Sequence, residues 1–189
     1  MANILLGVTG SVAAINTPEL FEGFAAGGHA VRIVATEMAT YFFDRNPFHH
    51  NKTLFLDNDE WPGLNEADRY KRGDSVLHIE LRKWADLFVV APLDANTLAK
   101  FAAGICDNCL TSVYRCWDVS KPIAVAPAMN TMMWEQPVTK RNLKQIQEDF
   151  PKLQVCWPQE KMLACGDVGT GAMADVSHIV ESAVGFLKS

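Results

Sequence analysis

A few places in this sequence carry side chains that could do chemistry. The first is Pro127-Ala128-Met129-Asn130-Thr131-Met132-Met133-Trp134, directly after the apolar run Pro122–Ala126. A core strand has no need of an amide just past its end, whereas a site that must hold a carboxylate does. The same residues also fit a loop with an Asx-turn at Asn130 and two methionines as packing filler. The second is Cys165, set in Ala164-Cys165-Gly166-Asp167 within the glycine-rich stretch Lys161–Met173. A thiol among glycines suits a mobile loop that delivers a proton or a nucleophile, and equally an incidental cysteine in a turn. His78 stands at the entrance of a helical stretch, off its apolar face of Leu77, Leu81 and Trp84. A lone histidine is more often structural than catalytic, so His78 is a candidate base and no more.

Two further stretches suit an anionic cofactor. Thr9-Gly10-Ser11 opens a helix-compatible segment, which offers backbone N–H groups, a hydroxyl and a positive helix end, although any strand-to-helix connection can look like this. The third glycine of the dinucleotide fingerprint is missing. Pro92-Leu93-Asp94-Ala95-Asn96-Thr97 presents small residues and donors at a second helix start, with Asp94 or Asn96 as an ordinary N-cap in the plainer view. Thr36 ends the second strand where a nicotinamide-binding fold usually has Asp or Glu. That substitution points away from NAD and towards a mononucleotide such as FMN.

The elements that must position these residues follow from periodicity. Strands are expected at Ile4–Val8, Ala30–Ala35, Asp86–Ala91, Pro122–Ala126 and, as the last, Leu153–Cys156. The Asp86–Ala91 run is continuously apolar, as a parallel strand covered on both faces must be. Helices are expected at Pro18–Ala26, Val76–Ala85, Leu98–Ala103, Asp107–Trp117, Val138–Asp149 and Asp175–Lys188, with a short one ending at Tyr41-Phe42-Phe43. Residues 44–75 show no periodicity and are expected to form a functional or oligomer-facing loop, with His49 and His50 solvated and Trp61 exposed. The βαβαβ pattern implies an α/β fold, flavodoxin/Rossmann-like, with an open, mostly parallel sheet and helices on both faces in a single domain, 1–189. Every candidate residue on a loop after a strand then falls on the sheet's carboxyl edge, where such folds bind ligands.

Composition narrows the function. The 189 residues are 49% hydrophobic and 21% charged with a formal net charge of -5, and there is no Lys/Arg run, which argues against nucleic acid or an anionic membrane as partner. No apolar stretch is long enough to span a bilayer, and the N-terminus runs into a strand without a basic leader, so a cytoplasmic location is expected. The five cysteines are odd in number and read as reduced thiols. Cys106-Asp107-Asn108-Cys109 lacks the second pair that zinc would need, so no metal is expected.

With these stretches in view, the sequence resembles the homo-oligomeric flavin-containing cysteine decarboxylases. The resemblance runs from Gly7-Val8-Thr9-Gly10-Ser11-Val12-Ala13-Ala14 to Gly171-Ala172-Met173-Ala174, through Leu77-His78-Ile79-Glu80-Leu81-Arg82, Ala91–Thr97, Pro127–Trp134 and Ala164–Asp167. It implies FMN held by Gly10, Ser11, Val12, Thr36, Asp94, Ala95, Asn96, Thr97 and Ala128. It further implies His78 as base, Asn130 as the carboxylate-orienting residue and Cys165 as late proton donor, with Asn130, Met132, Met162, Ala164 and Gly171 against the substrate. The implied chemistry oxidises the thiol carbon to a thioaldehyde, loses CO2 to give an enethiolate, and reduces the enethiol again with Cys165 as acid. The Cys-Gly-Asp loop favours the coenzyme A precursor 4'-phosphopantothenoyl-L-cysteine, a small-molecule thiol, with 4'-phosphopantetheine as product. The C-terminal cysteine of a modified peptide is the alternative substrate, while an electron carrier and a non-catalytic regulatory subunit rank lower. The resemblance also implies a homotrimer or a multiple of trimers with the flavin at a subunit boundary, and a ligase carried on a separate polypeptide.

Overall fold

The computed structural model describes residues 1–51, 53–61, 69–162 and 168–187. In chain order the elements are β1 Asn3–Val8, α1 Thr17–Ala26, β2 Ala30–Ala35, α2 Asn46–His50, β3 Leu54–Phe55, α3 Asp57–Glu60 and α4 Leu77–Trp84. They continue as β4 Leu87–Leu93, α5 Ala95–Ala103, α6 Cys109–Arg115, β5 Ile123–Pro127, α7 Thr131–Glu135, α8 Pro137–Asp149, β6 Leu153–Val155, β7 Gln159–Met162, β8 Val168–Ala172 and α9 Val176–Leu187. Single 3₁₀ turns at Val12–Asn16 and Glu37–Tyr41 follow β1 and β2.

The main sheet has six strands in the order β3-β2-β1-β4-β5-β6, and every pairing in it is parallel. The winding reverses between β1 and β4, which makes the crevice beyond their carboxyl ends the place for a ligand. Alternation along β1 divides the core. Ile4, Leu6 and Val8 meet Leu20 and Phe24 of α1 and Ile179 and Ala183 of α9 on one face. Leu5 faces the other side with Phe88, Val90, Ile123 and Val125, under Leu81 of α4, Leu98 and Phe101 of α5, Val113 of α6 and Ile146 of α8. All seven residues of β4 are buried, as its unbroken apolar run required.

Two expectations need correction. The stretch 44–75 contains α2, β3 and α3, and β3 adds a parallel edge strand beside β2 through Ile33–Leu54 and Val34–Phe55. A two-residue strand is too short to show a period, so only the pairing reveals it. Leu153–Val155 is the last strand of the main sheet but not of the chain, since β7 and β8 form a separate antiparallel pair from Gln159–Ala172 to Met162–Val168. The glycines at 169 and 171 had hidden this hairpin by thinning its pattern. The aromatic cluster at the end of the second 3₁₀ turn splits: Phe43 packs edge-on against Phe48 at 6.1 Å, whereas Tyr41 is exposed. His49, His50 and Trp61 are exposed, as expected. Among the described residues no helix is long and apolar enough to cross a membrane.

Candidate functional site

The loops at the carboxyl edge are tied to one another by a buried threonine. Thr9, at the end of β1, donates through Oγ1 to the carbonyl of Pro92 at 2.8 Å and accepts from the Asp94 N–H at 2.8 Å. That hydroxyl bridges β1 and β4 at the point where the winding reverses. Ser11 follows, its N–H on the Thr9 carbonyl at 2.8 Å and its Oγ accepting from the Ala13 N–H at 3.4 Å, so it caps the 3₁₀ turn beneath Val12. Gly10 is closely approached: a Cβ there would come within 2.9 Å of the Met38 Cβ and 3.6 Å of Asp94 Oδ2.

Asp94 is the N-cap of α5, with Oδ1 accepting from the Thr97 N–H at 2.6 Å. The plainer sequence expectation for Asp94 therefore holds for its side chain, which fixes the first turn of α5. Thr97 is buried, Ala95 half-buried and Asn96 exposed on that turn. Ala128 is buried beside it, its N–H on the Leu93 carbonyl at 3.0 Å.

Thr36 supplies the test of whether this rim suits a flavin nucleotide. Its Oγ1 is buried and has no hydrogen-bond partner, and it does not cap the turn that follows. A buried hydroxyl left unpaired is unfavourable by about 1–3 kcal/mol, so an unpaired one between β2 and the Gly10 crossing fits a ligand oxygen. With the small residues at Gly10, Ala95 and Ala128, the rim fits the phosphate and ribityl chain of FMN.

Asn130 caps α7, with Oδ1 accepting from the Met132 N–H at 2.8 Å and its carbonyl accepting from the Trp134 N–H at 2.9 Å. The Asx geometry is thus present, and it orients the amide. The hairpin docks on the same loop: the Met129 N–H donates to the Gly171 carbonyl at 3.0 Å, and Gly171 sits at φ 146° where a Cβ would meet the Met129 carbonyl oxygen at 2.3 Å. A Cβ on Gly169 would lie 2.5 Å from Thr131 Oγ1. Both glycines of β8 are therefore demanded by close approach to the Asn130 loop. Met132 is exposed, and Met162 ends β7. Ala164 and Cys165 lie outside the described residues.

His78 belongs to another cluster. Helix α4 ends at the amino edge of the sheet, where Asn3 Nδ2 donates to the Trp84 carbonyl at 2.9 Å, so its first turn points towards the carboxyl edge. There the ring Nδ1 of His78 pairs with Glu60 Oε1, and the His78 backbone N–H donates to Glu60 Oε2 at 3.0 Å. Glu60 was not anticipated from sequence. Its only signal was the acidic run Asp57-Asn58-Asp59-Glu60, and nothing in a run of acids indicates a partner at position 78. Thr9 was missed for the same reason, since its partners lie 83 and 85 residues away.

Comparison with known proteins is consistent with this geometry. The family model described as Flavoprotein matches residues 1–188. Over 181 residues, 96% of this chain and 78% of the relative, the sequence is 50% identical to a protein of Oryza sativa subsp. japonica named phosphopantothenoylcysteine decarboxylase. The fold matches a solved PPC decarboxylase mutant complexed with pantothenoylaminoethenethiol, with a TM-score of 0.88 and 44% identity over 100% of this chain and 99% of that one. It also matches the FMN binding protein AtHal3, with a TM-score of 0.84 and 44% identity over 99% of this chain and 97% of that one.

Proposed function

The chain belongs to the Flavoprotein family, and we propose that it is a carboxy-lyase that uses FMN to convert 4'-phosphopantothenoyl-L-cysteine to 4'-phosphopantetheine in coenzyme A biosynthesis. The observation that carries this is the near-full-length identity of 50% with a relative named for that reaction. The unpaired Thr36 hydroxyl and the close-packed rim support the cofactor half of it.

Gly10, Ser11, Val12, Thr36, Asp94–Thr97 and Ala128 would hold the cofactor. Bound FMN would supply two-electron acceptor and donor chemistry at the thiol-bearing carbon. The residues of the chain would do the rest. His78 would take the thiol proton, a role worth about 10²–10⁴-fold in rate. Asn130, its Oδ1 held by the Met132 N–H, would orient the substrate carboxylate. Holding that carboxylate fixes the breaking C–C bond relative to the thioaldehyde that accepts its electrons. Met132, Met162, Ala164 and Gly171 would line the substrate, and Cys165 would protonate carbon as the enethiol is reduced.

The test is substrate choice. Protein reconstituted with FMN should release CO2 from phosphopantothenoylcysteine and form phosphopantetheine, with little turnover of a peptide ending in cysteine. Turnover of the peptide alone would replace the substrate assigned here with a peptidyl one. We further propose that the chain acts in the cytoplasm as a homotrimer or a multiple of trimers. Exposed Val12, Ile15, Met38 and Tyr41, all on the turns after β1 and β2, support self-association at the cofactor edge.

A further inference from the structure

Glu60 is a buried carboxylate, with its side chain 1% exposed. Such a group is strongly unfavourable unless hydrogen bonds surround it. Among the described residues His78 supplies two partners, its backbone N–H and its ring Nδ1. Burial first, and then the charge of Glu60, push the nearby Cys109 thiol far above its ordinary range, so Cys109 stays a neutral thiol beside the carboxylate. Asp57 Oδ1 accepts from the Cys109 N–H at 3.0 Å, which pins α3 against the start of α6 and sets Glu60 under the first turn of α4.

An ionised carboxylate only accepts hydrogen bonds, so the ring nitrogen facing it must carry the hydrogen. Nδ1 of His78 is that nitrogen, and the lone pair is left on Nε2, at the far edge of a ring whose side chain is 22% exposed. A carboxylate that served only to cap α4 would need the backbone bond alone. Glu60 takes both the backbone and the ring of one residue, through separate oxygens.

We propose that Glu60 is a positioning residue for the decarboxylation: it fixes His78 as the Nδ1–H tautomer, so that Nε2 is the nitrogen that takes the substrate's thiol proton. The S–H bond breaks, the Nε2–H bond forms, and the imidazolium that results is balanced by the carboxylate on its other side. This rests on the assignment of His78 as the base.

The test uses the FMN-loaded protein carrying 15N-histidine, as wild type, His78→Asn, Glu60→Gln and Glu60→Asp. His78→Asn identifies the His78 ring signals by their loss. At alkaline pH the wild-type ring should show hydrogen on Nδ1 and a lone pair on Nε2. Glu60→Gln should move hydrogen towards Nε2 and lower kcat on the order of 10²-fold while KM changes little. Glu60→Asp, which keeps the charge, should retain the Nδ1–H signal and recover part of kcat. A wild-type ring with hydrogen on Nε2 overturns the proposal, and this holds even where Glu60→Gln does not fold. So does a folded Glu60→Gln that loses activity with an unchanged tautomer, or keeps full activity. Full activity in His78→Asn removes the base assignment, and with it the proposed role of Glu60, whichever tautomer the spectra show.

Discussion

At the scale of single residues, Thr36 gives the most direct test of the cofactor site. Its buried Oγ1 is unpaired in the protein alone, so Thr36→Val removes an unfavourable group there and, with FMN bound, the hydrogen bond proposed between them. The two effects have opposite signs. Apoprotein stability should hold or rise by up to about 1 kcal/mol, while FMN binding weakens about tenfold, the equivalent of one ordinary hydrogen bond. Thermal melting without FMN and flavin fluorescence titration read the two separately; equal FMN affinity in the variant would remove Thr36 from the site. The thiols make a second case. Burial pushes Cys156 up to about 11, whereas Cys106 is exposed. Alkylation at mildly alkaline pH should mark Cys106 well before Cys156 or buried Cys109. The sign for stability follows: a thiol whose folded pKa is raised stabilises the fold below its unfolded value near 9.0, and that contribution is lost as the pH climbs towards 11. Base denaturation should therefore begin later in Cys156→Ala than in the wild type, measured from each protein's own stability at neutral pH.

At the scale of elements, the β7–β8 hairpin is the device that completes the Asn130 loop. Its docking rests on the absence of a side chain at Gly171, which combines φ 146° with a backbone oxygen 2.3 Å from where a Cβ would sit. Gly171→Ala should cost about 1–3 kcal/mol from the backbone conformation alone, and more from the displaced Met129 carbonyl. The expected signature is a raised substrate KM with FMN still bound, because the hairpin's backbone bond is to Met129 beside Asn130, whereas Thr9 bonds Pro92 and Asp94. An unchanged KM would detach the hairpin from substrate binding. The legibility of these elements was uneven for a physical reason. β4 announced itself because a strand covered on both faces must be apolar throughout, and α5 because its apolar face repeats at helical spacing. β3 and β8 were silent, the first because two residues cannot show a period and the second because alternate glycines replace the side chains that would show one.

At the scale of the whole molecule, the turns after β1 and β2 leave Ile15, Met38 and Tyr41 exposed at 64%, 68% and 87% beside the proposed cofactor edge. Apolar groups concentrated at one edge are the mark of a surface that another molecule covers. Light scattering of the purified protein should give three times the mass of the chain or a multiple of that. Ile15→Asp should give a lighter species that holds FMN less tightly, and a monomeric wild type would refute the assembly.

The sequence by itself determined the alternation of strands and helices, and with it the edge on which Gly10, Thr36, Asp94 and Asn130 had to emerge. Each is a local property, written in residues a few positions apart. Tertiary structure alone decided that Thr9 spans to Pro92 and Asp94, that Gly171 lies under Met129, and that Glu60 holds His78 from 18 residues away. These pairings join segments whose separation along the chain bears no relation to any helical or strand period, so no local pattern could encode them. They exist because the parallel winding brings the ends of distant strands to one rim, where buried polar groups must find partners in whichever segment the topology has placed beside them.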